Sequence, residues 1–142
     1  MAIAGRSIPA KVPSTALPAT IPDVLLQAAL DRPDHPALVD RRCEMSYGEL
    51  RDAMLGFAAA LVRAGMGKGD RVGLLLPNCA EWAVACLGVQ AAGGIVVPIS
   101  TRYKAPEVRV LLERAGVGHL VHVGAFAGID FRTLLDELGE AL

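Results

Sequence analysis

Three histidines and three cysteines are the side chains here best suited to metal or nucleophilic chemistry, and their spacing argues against both uses. If "HLVHV" (119–123) is a strand, His119 and His122 fall on opposite faces and cannot share a metal. Cys43, Cys79 and Cys86 form neither an even set nor a C-x-x-C pair. Cys79 and Cys86 lie two helical turns apart, about 10 Å at the helical rise, too far to bridge. All three read as small core hydrophobes of a protein in a reducing cytoplasm. No serine, cysteine or lysine is visibly paired with a base, and no two carboxylates are set for acid and base work. No catalytic, cofactor-binding or metal-ligating residue is therefore assigned to any position.

Three short motifs invite a ligand and receive a structural reading. "GMGKGD" (65–70) sets three glycines around Lys68, but it follows a helix and precedes a strand. A phosphate loop needs the opposite order, so that amides and the helix dipole meet the anion. Gly65 is instead a helix cap followed by a turn. "PNCAEW" (77–82) has the right order, yet Asn78 is expected to cap the helix and Glu81 puts a carboxylate in its first turn. Thr101-Arg102-Tyr103 sits after a strand, at the edge where open α/β sheets bind ligands. Arg102 is expected to act there as a structural salt-bridge or hydrogen-bond donor.

The elements that would carry these motifs are punctuated regularly. Residues 1–19, with three prolines and only short apolar pieces, read as a flexible tail without a secretory h-region. Thr20 with Asp23 opens a first helix that Pro33 stops, and "ALVD" and "EMSY" form a hairpin across Arg41-Arg42-Cys43. Ser46 with Glu49 is a capping box for the helix that ends at Gly65. Strand "RVGLLLP", helix "NCAEWAVACLGVQAAG", strand "IVVPI", helix "PEVRVLLERAG", strand "HLVHV" and helix "FRTLLDELGEAL" follow. Strands without polar alternation, separated by helices, predict an α/β fold: a layered, mostly parallel sheet with helices on both faces. Ile95–Ile99 is expected to be buried on both faces, with Gly93 and Gly94 turning the chain tightly into it.

Composition is consistent with one domain having a sizeable core: 142 residues, 53% hydrophobic, net charge −1 without charge blocks. That balance argues against nucleic acid or an anionic membrane as the partner. The run from Trp82 to Ile99 approaches spanning length, but Gln90, Gly93-Gly94 and Pro98 divide it, so no transmembrane segment is expected.

Taken in order, these pieces resemble the N-terminal part of the adenylate-forming, AMP-binding superfamily. "MSYGEL" (45–50) is similar to its first core motif, and "GMGKGDRVGLLLPNCAEWAVACLGVQAAGGIVVPISTRY" (65–103) to the segment through its second. Pro98 followed by Ile99, Ser100, Thr101, Arg102 and Tyr103 is similar to acyl-CoA synthetases rather than peptide-synthetase domains. The resemblance, over residues 20–142, implies an incomplete N-terminal subdomain of the synthetase fold. For the parent enzyme it implies ATP, Mg2+ and coenzyme A, used to convert a carboxylic acid through an acyl-adenylate to an acyl-CoA. The Ser/Thr/Gly-rich ATP loop and the later catalytic motifs of that family do not occur in this sequence. A scaffold that binds no cofactor itself is therefore expected, its partner a complementing synthetase fragment or a second copy. The alternative is a non-catalytic interaction subunit.

Overall fold

The structure is a computed structural model describing residues 20–40 and 43–139. The tail assigned to residues 1–19, and Arg41-Arg42 of the hairpin turn, lie outside the described residues.

Local chemistry starts the helices where the sequence places them. In α1 (Ile21–Asp31) the Asp23 amide donates to Thr20 Oγ1 at 3.3 Å, and the Thr20 amide donates to Asp23 Oδ2 at 3.0 Å. The same reciprocal box opens α2 (Tyr47–Arg63), with the Ser46 amide 2.8 Å from Glu49 Oε2. Between these helices, β1 (Pro36–Val39) and β2 (Glu44–Ser46) pair antiparallel as the expected hairpin, shorter by Tyr47, which belongs to α2.

A helix–strand rhythm follows: β3 (Arg71–Leu75), α3 (Ala80–Ala91), β4 (Ile95–Pro98), α4 (Ala105–Ala115) and β5 (His119–His122). Each of these helix-to-strand turns is closed in one way. After α2 the Gly65 amide donates to Val62 O and the Met66 amide to Leu61 O, both at 3.0 Å. After α3 the Gly93 and Gly94 amides donate to Gln90 O and Val89 O at 3.0 and 2.8 Å. This paired closure requires a left-handed residue, and Gly65 (φ 94°) and Gly93 (φ 81°) supply it without steric cost.

The three strands form a parallel sheet in the order β4-β3-β5. Alternation along β3 sends its side chains to two cores. Val72, Leu74 and Leu76 pack with Leu61, Ala85 and Val89 of α2 and α3. Leu75 packs with Ile99, Val108, Leu112 and Phe131 on the other face, under α4 and α5 (Phe131–Gly139). Helices thus cover both faces, as the uninterrupted apolar strand requires. Helix α3 has two apolar sides: Ala85 and Val89 face the sheet, while Val84 and Leu87 pack with Leu25, Leu50 and Met54 of α1 and α2. The α2–α3 contact is close: a Cβ added at Gly88 would lie 3.1 Å from Met54 O.

Three expectations are corrected. Burial on both faces belongs to β3, not to Ile95–Ile99: among the described residues β4 is an edge strand, and Ile95 is 47% exposed. The cysteines are only half-buried, and of the three only Cys86 packs against a core cluster. A small hairpin, β6 (Ala125–Phe126) with β7 (Ile129–Asp130), stands between β5 and α5 where no strand is expected. Among the described residues no helix is long and apolar enough to cross a membrane.

Candidate functional site

The glycine segment is consumed by the fold. It runs from α2 into β3, at the amino end of the sheet; the Gly67 amide donates to Asp70 Oδ2 at 2.8 Å and the Gly69 amide to Gly93 O at 2.9 Å. Amides so engaged are not offered to an anion. At the same end His119 Nε2 lies 3.7 Å from Asp70 Oδ2.

At the other end of the sheet, the start of α3 is not capped by Asn78. The N-cap is Cys79, which makes no side-chain cap bond. The first amide of the helix, that of Ala80, donates to Asp40 Oδ2 at 3.2 Å, while Asp40 Oδ1 accepts the Cys43 amide at 2.8 Å. A carboxylate from the hairpin thus ties β1–β2 to the helix start and satisfies an amide that would otherwise lack a partner. No local spacing reveals a cap forty residues away.

The carboxyl ends of β3 and β4 diverge, because α3 returns over one face of the sheet and α4 over the other. Ligands collect in the crevice formed where neighbouring strands part in this way. A cleft of about 620 Å³ lies there, lined by Pro77, Asn78 and Trp82 from the β3 side and Ser100, Arg102 and Tyr103 from the β4 side. The Arg102 amide donates to Ser100 Oγ at 3.3 Å, but its guanidinium is exposed and makes no ion pair or hydrogen bond among the described residues. The salt-bridge role expected for Arg102 is therefore corrected: the loop is held through backbone, and the cation is left in the cleft. Asn78 and Trp82 were not singled out as lining residues, since only the divergence of α3 and α4 joins their loop to that of Arg102.

The arrangement can bind but shows no bond-making pair. Burial, and next the Glu81 carboxylate beside it, push the Cys79 thiol above its ordinary pKa; burial alone does so for Cys86. Both thiols stay protonated near neutrality, the opposite of an activated nucleophile. His122 Nδ1 sits 2.9 Å from Val123 O, on the face of β5 opposite His119. Among the described residues no three His, Cys, Asp or Glu side chains are grouped to hold a metal.

Comparison with known proteins gives a consistent picture. Residues 25–140 match the family model described as AMP-binding enzyme. A methyl-dioxo-octahydroindenyl-propanoyl:CoA ligase of Mycobacterium tuberculosis is 43% identical over 117 residues, 82% of this chain and 23% of that protein. The ligase of the same name from Rhodococcus jostii is 39% identical, over 87% of this chain and 24% of the relative. The N-terminal domain of FACL13 from Mycobacterium tuberculosis superimposes with a TM-score of 0.76 at 31% identity, covering 86% of this chain and 30% of that domain. The chain thus spans about a quarter of the length of these ligases and corresponds to their N-terminal part.

Proposed function

Because the chain belongs to the AMP-binding enzyme family, we propose that it serves as the N-terminal framework of an ATP-dependent acyl-CoA ligase. The reaction of that ligase joins a carboxylic acid to AMP with release of pyrophosphate, then passes the acyl group to coenzyme A with release of AMP. Residues 20–142 form the framework, and none of them is assigned a catalytic, nucleotide-binding or metal-binding role. Its working partner is the remainder of such a ligase, and its compartment the cytoplasm.

The observation that carries this reading is the 43% identity to a CoA ligase of which the chain matches 23%. Within the matched residues 25–140 the sequence landmarks are a helix cap, tight turns and a buried strand. ATP, Mg2+ and coenzyme A are the reactants that family membership implies. The residues present do not fit the triphosphate: the only glycine-lysine segment sits at the amino end of β3, with Gly67 and Gly69 amides already bonded to Asp70 and Gly93. Acid-dependent pyrophosphate release by the purified 142-residue chain is the direct test. No release above background is expected, and robust turnover would overturn the framework reading.

A further inference from the structure

Hydrogen-bond alternation makes the two edges of the sheet unequal. Asp70 O and Leu74 O accept from the Ile95 and Ile99 amides at 2.8 and 3.0 Å, whereas Arg71 O accepts from the Gly118 amide at 3.0 Å. In a parallel ladder a residue's N–H and C=O point to the same side, and the side alternates. Ile95, Val97 and Ile99 therefore face β3, and Val96 and Pro98 face outward. On the opposite side the Gly118 bond precedes the strand, and the pairing of Val72 with His119 and of Leu74 with Val121 makes His119 and Val121 face β3, leaving Leu120 and His122 outward. Pro98 has no N–H, so the outer edge of β4 offers a single donor, from Val96. A proline so placed is a common way to blunt an edge. The outer edge of β5 keeps both donors, and among the described residues no strand pairs with it.

The surroundings of β5 add a second argument. On the α4–α5 side a groove of about 340 Å³ runs beside Gly118, Leu120, Leu135 and Leu138. On the α2–α3 side one of about 440 Å³ runs beside Phe57, Val84, Ala85 and Val121. A strand laid along this edge would drop alternate side chains into the two grooves, so it would have to be apolar on both faces, as β3 is.

We propose that the outer edge of β5, and not that of β4, receives an apolar strand from the remainder of the ligase polypeptide. This rests on the reading of the chain as part of an acyl-CoA ligase; the relatives carry about three-quarters of their length beyond the matched region, ample for such a strand.

The test uses the Mycobacterium tuberculosis ligase with its matching segment replaced by this chain, compared with the chain alone by site-resolved amide exchange. The Leu120 and His122 amides should slow by at least about tenfold in the chimera, and the Val96 amide should not change. His122→Pro, which removes only an outward backbone donor, should lower the chimera's melting temperature more than Val96→Pro does. A folded chimera in which Val96 slows and Leu120 does not overturns the edge assignment and leaves the ligase reading standing. Failure of the chimera to fold removes the proposed occupant and counts against the ligase reading itself. Slowing of Leu120 in the chain alone that grows with protein concentration would make a second copy the occupant, and overturns the proposal.

Discussion

The two ends of the central sheet are built in opposite ways. At the amino end of β3 and β4 the chain makes tight closures: Gly65 and Gly93 are left-handed, Gly69 bonds Gly93, and Met66 is buried beneath them. At the carboxyl end the loops after the same strands part around a cleft, where Arg102 makes no ion pair among the described residues and Tyr103 is 40% exposed. The amino end spends its polar groups on the backbone, and the carboxyl end leaves side chains available. Substitutions at the first should therefore cost stability, and substitutions at the second should spare it.

The sharpest way to break this contrast is Gly94→Val. A Cβ at Gly94 would lie 3.0 Å from Val89 Cγ1 and 3.2 Å from Met66 Cε, so two further methyls must displace buried neighbours. The expected cost is about 1–3 kcal/mol, read from the urea midpoint. An unchanged midpoint would show that the amino end is not tightly packed.

Asp40→Ala tests a contact that reaches the carboxyl end from outside the sheet. It removes the acceptor for the Ala80 and Cys43 amides and should cost about 1 kcal/mol, near the usual value of a helix cap. Alkylation of Cys79 should speed up with it, because that thiol sits at the helix start that Asp40 holds. A stability loss without any change at Cys79 would place the effect in the hairpin alone.

Arg102→Ala should be the mildest, within about 0.5 kcal/mol of the parent, since its guanidinium is exposed and makes no ion pair or hydrogen bond among the described residues. A loss of more than about 1 kcal/mol in denaturant would show that the side chain holds the loop, and would erase the difference between the ends.

Much of this was legible in the sequence because it is short-range. Thr20 with Asp23 and Ser46 with Glu49 are three residues apart, and Gly65 and Gly93 stand directly after their helices. Burial was harder to read. "IVVPI" and "RVGLLLP" look equally apolar, yet β3 lies between two partners and β4 has one. Asn78 has the chemistry of a cap and the right place for one, but a more distant carboxylate took the role.

By itself, then, the sequence determined the order of the main helices and strands, the capping boxes that open α1 and α2, the glycines that close α2 and α3, and the family, because caps, turns and hydrophobic period act over a few residues. Only the tertiary structure decided which strand is central, that Asp40 reaches the start of α3, and that Arg102 shares a cleft with Trp82. Strand order and helix side bring together residues that are far apart along the chain, and no local spacing encodes that choice.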